Sequence, residues 1–357
     1  MSETTETTIT TAETTPAVTV APATETAAAP LGPKFVLTDE NRDFCGAVLR
    51  RIRALRDIPG TDVHAGDLGG YVEIEDNLSQ YGSCWVYDEA VVCRNAHVSD
   101  DAQIRGAACV AGYDNAAAIP ACVFGTAIVS GNASVLESAT VCGDVKVSDF
   151  ARVCGTARVC DHAAVREFAV VTGTVSGDAI VHGSAMVLDG ATVRDYANVY
   201  DNAVVRDHAT VRDAAEVFGH ARVTDNADVY VGARVHGSAE ISGNAVVCGD
   251  ANVHEFARVK RRAVVDGCAE IYGKATVTRH AVVKGSAKIH GDARITGESL
   301  IVGDSDIAWG RISSEKPTVE DDADETPAAE ADGGDATDGG AFKPENAILG
   351  GTDEILD

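Results

Sequence analysis

Val or Ile recurs at every sixth residue over most of this chain. From Val86 the hexads read VYDEAV, VCRNAH, VSDDAQ and IRGAAC, and the series resumes at Val123 and continues to Ile301. The fifth position is nearly always Ala, and the third is usually Gly or Asp. Because alternate residues of an extended chain point to the same side, the first and fifth positions form the interior. The third position suits a turn, since Gly tolerates positive φ and Asp bonds local backbone amides. Each hexad therefore predicts one short strand and one corner.

A second period, three times the first, indicates three hexads per coil. Flat rings occupy the second position of every third hexad over seven coils, namely His182, Tyr200, Phe218, His236, His254, Tyr272 and His290. Equivalent residues of successive coils then stack on one outer side of a three-sided prism. The prediction is an all-β fold, a single-stranded parallel β-helix with three hexapeptides per 18-residue coil. About twelve coils at a strand spacing of roughly 4.8 Å make a rod on the order of 60 Å long.

The hexad series is interrupted twice. A one-residue insertion is inferred around residues 113–121 and a two-residue deletion near residues 172–175. Neither predicts a loop large enough to wall a ligand pocket. At the carboxyl end, Trp309 follows the last hexad and is expected to cover the final layer of Val and Ala.

The ends of the chain differ from the hexads in composition. Residues 1–33 are rich in Thr, Ala and Pro, and residues 313–357 are acidic, so neither has much to bury and both are predicted to be disordered. We therefore divide the chain into an arm (1–33), an N-terminal β cap (34–80), the hexapeptide solenoid (81–312) and an acidic tail (313–357). The two ends carry 16 of the net 26 negative charges. Such an acidic chain repels phosphate, so neither nucleic acid nor an anionic membrane is an expected partner.

The sequence also predicts the compartment of the protein and the redox state of its cysteines. The amino terminus has no basic and apolar signal-peptide pattern, and the chain has no apolar run of membrane-spanning length, so a cytoplasmic protein is expected. There are ten cysteines and no CxxC pair. Cys142 and Cys160, three hexads apart, should stack on adjacent coils within disulfide distance. We expect them to be free thiols, as in a reducing compartment.

The segment before the hexads carries a family resemblance. GDLGGYVEIEDNLSQYGSCWVYDEA, from Gly66 to Ala90, contains Gly-Gly-aromatic-Val, NLSQ, CW and YD elements and resembles the start of the YdcK-like group. The resemblance covers roughly residues 35–310 and implies a left-handed, acyltransferase-like β-helix with an N-terminal cap. Related chains are common in phages and prophages. The basic run LRRIRALRD, Leu49 to Asp57, falls in this cap, although read alone it equally predicts a helix.

This chain departs from the usual acyltransferase hexad in one respect. The Gly or Asp falls two places after the aliphatic residue, and the usual hexad has it one place after. No catalytic residue is therefore carried over from the resemblance.

The seven stacked rings, here called the ring ladder, form the candidate binding surface. His236 and His254 are weak catalytic candidates, because about 5 Å between them would let them share a metal or polarise a substrate. The alternative is that flat side chains in register simply stack along a parallel sheet, and no acidic residue in the ladder orients a ring. We predict no metal site on this basis.

Taken together, these patterns favour a non-catalytic structural or interaction solenoid, without a cofactor, that self-associates or docks a protein partner through a side face. A homo-oligomer is expected, with a trimer among the options. The alternative is an acetyl-CoA-dependent acyltransferase of the hexapeptide-repeat type acting as a trimer. A third interpretation is a trimeric metal-binding hydratase of the same architecture.

Overall fold

The chain forms a parallel β-solenoid, as the hexads predict. A computed structural model describes residues 32–115 and 117–314, and the predicted arm and acidic tail lie almost entirely outside these residues. Strands of two or three residues dominate, and the described residues contain one helical turn, the 3-10 turn Glu75–Asn77. The strands make three sheets of 16, 13 and 12 strands, which are the sides of the prism.

The three sides are called the ring face, the thiol face and the hairpin face. The strands of the ring face are Trp85–Val86, Gln103–Ile104, Ile128–Val129, Lys146–Val147, Ala164–Val165, Ile180–Val181, Asn198–Val199, Glu216–Val217, Arg234–Val235, Asn252–Val253, Glu270–Ile271, Lys288–Ile289 and Asp306–Ile307. The strands of the thiol face are His97–Val98, Cys122–Val123, Thr140–Val141, Arg158–Val159, Thr174–Val175, Thr192–Val193, Thr210–Val211, Asp228–Val229, Val246–Val247, Val264–Val265, Val282–Val283 and Leu300–Ile301. The strands of the hairpin face are Phe35–Phe44, Ala47–Ala54, Leu68–Val72, Val91–Cys93, Cys109–Ala111, Ser134–Leu136, Arg152–Val153, Val170–Val171, Met186–Val187, Val204–Val205, Arg222–Val223, Glu240–Ile241, Arg258–Val259, Thr276–Val277, Arg294–Thr296 and Arg311–Ser313.

An antiparallel hairpin covers the first coil, as the predicted cap requires. Phe35–Phe44 pairs with Ala47–Ala54, which pairs in turn with Leu68–Val72. From Leu68–Val72 onward the pairing is parallel, beginning with Val91–Cys93. Most of the basic run therefore lies in a strand and not in a helix. On the hairpin face, these strands pair with the edge that a bare first coil would expose.

The interior consists of Val and Ala stacked on their equivalents in the next coil. Val193, for example, pairs with Val175 on one side and Val211 on the other, and all three are fully buried. The fifth-position alanines, such as Ala191 and Ala197, are fully buried as well. This confirms the predicted interior positions.

The corners use the third hexad position in a way that the sequence reasoning did not foresee. Asp201 and Gly219, on successive coils, both adopt positive φ, and the Asp201 carboxylate accepts a hydrogen bond from the Gly219 amide at 3.2 Å. Asp225 accepts from Gly243 in the same way, at 2.7 Å. The expected bonding of Asp to local amides is wrong at these corners, because the acceptor bridges to the next coil. Gly and Asp predominate at these corners because both tolerate the left-handed region.

Both interruptions of the series are visible in the strand register. Val98 pairs with Val123, whereas Val123 pairs with Val141 at the regular interval of one coil. The first of these intervals is longer by seven positions. The inferred one-residue insertion is therefore wrong in size, because seven extra residues form an excursion from this coil. The shortened coil is as predicted, since Val159 pairs with Val175, two positions short of a full coil.

Trp309 does not cover the carboxyl end of the solenoid. Its side chain is 82% exposed, so the expected capping role is wrong. It lies at the corner between Asp306–Ile307 and Arg311–Ser313, where a side chain is directed away from the interior.

Candidate functional site

The ring ladder runs along the ring face over seven consecutive coils. Each ring follows a buried strand residue, as His182 follows Val181, so it lies on the outer side of the sheet. Neighbouring ring centroids are 4.6 to 5.2 Å apart, and their planes differ by only 2 to 9°. The structure thus brings all seven sequence-predicted binding residues into one stack. Their binding role stays a prediction.

A second column of outward side chains runs beside the ladder, and we call it the charge column. It consists of the outward first residues of seven successive ring-face strands, the first six of which lie two positions before a ladder ring: Asn198, Glu216, Arg234, Asn252, Glu270, Lys288 and Asp306. Adjacent members form ion pairs along the rod. Arg234 Nε lies 3.3 Å from Glu216 Oε2, and Lys288 Nζ lies 3.4 Å from Glu270 Oε2.

The charge column orients the ladder histidines, which sequence reasoning missed. His254 Nε2 lies 3.3 Å from Glu270 Oε1, and His290 Nε2 lies 2.7 Å from Asp306 Oδ1. The ladder holds no acid, as expected, but acids outside it contact these two rings. The acid is absent from the ladder itself but stands in the neighbouring column of the next coil, two positions short of one full coil along the chain. That spacing between a ladder histidine and an acid is visible in the sequence and could have revealed the contact.

His236 and His254 are stacked, with centroids 5.0 Å apart and planes 2° apart. Parallel rings direct their nitrogen atoms the same way, so the two do not converge on one ion. The Nε2 atom of His236 already has a partner, Asn252 Oδ1 at 3.1 Å. Within residues 32–115 and 117–314, no group of three or more His, Cys, Asp and Glu side chains is placed to hold a metal ion. This geometry favours stacking over a shared metal.

Partial burial shifts the ionisation of two ladder histidines. Burial lowers the pKa of His182, with a further contribution from Arg166. Burial also lowers the pKa of His236, and the neighbouring His254 acts in the same direction. Both rings are therefore held in the neutral form that packs against its neighbours.

We expect acidification to destabilise the fold through His236. Its folded-state pKa lies below the unfolded value, so its contribution is present above about pH 6.5 and is lost as the pH falls through the lowered value. Relative to His236→Gln, the wild type should lose stability between pH 7 and pH 5, measured by urea unfolding. His208→Gln, at an exposed corner, is the control and should track the wild type. Parallel curves for wild type and His236→Gln would contradict this account.

The seven-residue excursion forms a shallow depression away from the ladder. Arg94, Tyr113, Asp114, Asn115 and Ala118 line a volume of about 480 Å³. Arg94 Nε and Asp114 Oδ1 form an ion pair of 2.8 Å across it. The excursion lies between the hairpin and thiol faces, so it does not enclose any ring of the ladder.

Fold and site together define a hexapeptide-repeat β-solenoid with a stacked aromatic and histidine column on one side. Over 82 residues the chain is 35% identical to a protein of Escherichia coli described as "Uncharacterized acetyltransferase YdcK". The match covers 20% of this chain and 24% of that protein, so the chain spans about a quarter of the length of this relative. It supports the resemblance at the level of an acyltransferase-like solenoid. No family model matches the chain.

No helix in the part of the chain that the structure describes is long and apolar enough to span a bilayer.

Proposed function

We propose that this chain is a non-catalytic interaction solenoid whose ring face binds a second copy of itself in antiparallel orientation. The observation that carries the proposal is the order of charges in the charge column. Between Asn198 and Asp306 the column reads Glu216, Arg234, Asn252, Glu270 and Lys288, which is complementary to its own reverse.

A two-fold axis at the level of Asn252, perpendicular to the rod and lying between the two faces, reverses one rod against the other. Such an axis keeps the lateral position of each column, so each column lies opposite the same column of the partner in an isologous interface. Glu216 then faces Lys288 of the second copy. Arg234 faces Glu270 in the same way, and Asn252 faces its own equivalent, where two amides hydrogen-bond.

The charged groups are available for these contacts. The side chains of Arg234 and Lys288 are 62% and 53% exposed, even though each already contacts one carboxylate of its own rod. Complementary charges at this level of exposure mainly set orientation and encounter rate, while the stacked rings supply contact area. The result is specificity for one register.

Flatness keeps the pairing in register along the rod. Neighbouring ring centroids lie 4.6 to 5.2 Å apart, close to the strand spacing of roughly 4.8 Å, so successive rings are displaced little sideways from coil to coil. Sheets with the usual twist of roughly 20° per strand would carry the columns apart within a few coils. Here seven successive members of the column stay opposite their counterparts.

Association of two parallel rods does not bring the opposite charges of the charge column together. An axis along the rods sets the charge column of one copy against the ring ladder of the next, and the charges then have no opposite partner. The same holds for a closed trimer of parallel rods. The charge order therefore favours a dimer.

Sedimentation velocity on charge-reversal variants tests the proposal. The full chain should sediment as a dimer. Arg234→Glu places a glutamate opposite Glu270 of the second copy at both symmetry-related positions, so it should weaken dimerisation by at least about tenfold. The double variant Arg234→Glu/Glu270→Arg should recover much of it. Arg222→Glu, on the hairpin face, is the matched control and should not change the mass. A monomeric wild type, or equal loss in the control, would contradict the proposal.

One observation favours a second candidate, the acetyl-CoA-dependent acyltransferase acting as a trimer. The E. coli relative is described as an acetyltransferase, and a His–carboxylate pair such as His254 and Glu270 is a chemically suitable general base. Titration calorimetry with acetyl-CoA separates the two candidates. Micromolar binding that is lost in His254→Ala or His236→Ala supports the enzyme, and absence of heat supports the interaction solenoid. A phage or prophage origin stays a prediction.

A further inference from the structure

Two cysteines of the thiol face stand on adjacent coils in register. Cys142 follows the strand Thr140–Val141 and Cys160 follows Arg158–Val159, and these two strands pair residue for residue. Neighbouring strands lie roughly 4.8 Å apart, which is within the Cα separation of about 4.4 to 6.8 Å that a disulfide requires. Both are free thiols, and each is 8% exposed, on the outer side of the sheet. Both thiols are therefore largely buried, but at the outer surface of the rod and not among the Val and Ala of its interior.

The two thiols have unequal environments. Arg158 Nε donates a hydrogen bond to Cys160 Sγ at 3.1 Å. A hydrogen bond from Cys142, together with Arg158, lowers the pKa of Cys160 to about 6. The same contact raises the pKa of Cys142. The Arg158 contact thus favours the thiolate at Cys160, with Cys142 as the partner that keeps its proton.

Cys248 provides an internal comparison. It occupies the same column of the thiol face, six coils after Cys142, and is 7% exposed. Its neighbours are different, because its sulfur donates to Asp266 Oδ1 at 3.4 Å and contacts Tyr230. Burial raises the pKa of Cys248. Position in the fold alone thus does not activate a thiol, whereas the Arg158 contact and the second sulfur do.

We propose that Cys142 and Cys160 are a hydroperoxide-reactive pair, with Cys160 as the nucleophile and Cys142 as the resolving thiol. The Cys160 thiolate attacks the O–O bond of a hydroperoxide, forming Cys160–SOH and releasing an alkoxide or hydroxide that takes up a proton. The Cys142 thiol then attacks this sulfur, forming the Cys142–Cys160 disulfide and releasing water. Two electrons pass from the two sulfurs to the peroxide.

The product links two successive coils of the rod. The disulfide closes a loop of one coil and joins two positions that the sheet already holds side by side, so the fold needs little rearrangement. Since in-register parallel strands keep the two β-carbons slightly further apart than a relaxed disulfide prefers, the bond should be readily reduced. The pair is thus suited to reversible oxidation.

Peptide mass spectrometry on the folded full chain tests the proposal. After one equivalent of hydrogen peroxide and blocking with N-ethylmaleimide under denaturing conditions, tryptic peptide 159–166 should be found linked to peptide 106–146, with Cys109 and Cys122 of that peptide alkylated. Cys248 should remain alkylated. Oxidation of Cys160 at a rate no greater than that of Cys248, or a disulfide at another pair, would overturn the assignment.

Two variants separate the roles of the residues. In Cys142→Ser the reaction should stop at the sulfenic acid, trapped by dimedone on Cys160. In Arg158→Gln the oxidation rate at pH 7 should fall by roughly tenfold, because less thiolate is present. Arg158→Lys should recover part of that rate. An unchanged rate in Arg158→Gln, with circular dichroism matching the wild type, would contradict the role of Arg158.

Discussion

Replacing Val193 by aspartate should lower the free energy of unfolding by more than about 4 kcal/mol. Val193 is fully buried between Val175 and Val211. Removing its side chain from the interior costs about 1.5 to 3 kcal/mol, and an unpaired carboxylate adds a further penalty. Because each coil contacts only its neighbours, we expect the rod to open locally first. Urea unfolding followed by circular dichroism measures the loss.

The adjacent residue supplies the control. Thr192 lies in the same two-residue strand but faces outward, between Thr174 and Thr210. Thr192→Asp should change the free energy of unfolding by less than about 1 kcal/mol. If the two variants unfolded alike, the assignment of alternate residues to the interior would be wrong.

Gly70→Ala should destabilise the cap by about 3 kcal/mol, at the upper end of the cost of overpacking. Gly70 lies in Leu68–Val72, the strand that joins the hairpin to the first coil. A β-carbon at this position would lie 2.5 Å from the Ala90 carbonyl oxygen and 2.9 Å from that of Tyr87. Backbone atoms cannot move aside as a flexible side chain does, so the strand must separate from the coil.

Gly232→Ala is the matched control for this variant. A β-carbon there would meet only the carboxylate of Asp250 at close range, at 2.8 Å, and that side chain is free to rotate away. Its melting temperature should stay within a few degrees of the wild type, whereas that of Gly70→Ala should fall clearly. A similar melting temperature for both variants would contradict the close packing of the Gly-Gly segment against the first coil.

Much of the fold was predictable because two periods in the sequence have direct geometric meanings. The recurrence of Val in every hexad defines the interior, and the recurrence of rings in every third hexad defines which residues share a face. Val193 and His236 could both be placed from these periods alone. A solenoid repeats one local geometry, so a rule that holds for one coil holds for the next.

Features that depend on contacts between different positions could not be predicted in this way. The pairing of Asp201 with the Gly219 amide joins two coils through one corner, and reading within a hexad suggested a local bond instead. The orientation of His254 by Glu270 was missed for the same reason, since the two belong to different columns. Such contacts require the lateral spacing of the columns as well as their period.

The excursion before Val123 shows a different limit. Periodicity modulo six registers seven extra positions as one, because six of them restore the phase. Trp309 was misplaced because large apolar residues near the end of a repeat are expected to cover it, whereas this one occupies a corner and is exposed.

The two proposals concern different surfaces of the same rod. Association through the ring face depends on the charge column, and peroxide chemistry depends on Arg158 and two sulfurs of the thiol face. Loss of dimerisation in Arg234→Glu should therefore leave oxidation of Cys160 unchanged. The two activities are separable by mutation.

Zero-length carbodiimide cross-linking of the full chain tests the antiparallel dimer most directly. Glu216 and Lys288 of one rod are four coils apart, roughly 19 Å, so a direct link between them forms only between two copies. We expect the cross-linked dimer to contain this Glu216–Lys288 link and Arg234→Glu to abolish it. A cross-linked dimer without the link, or no dimer at all, would contradict the account.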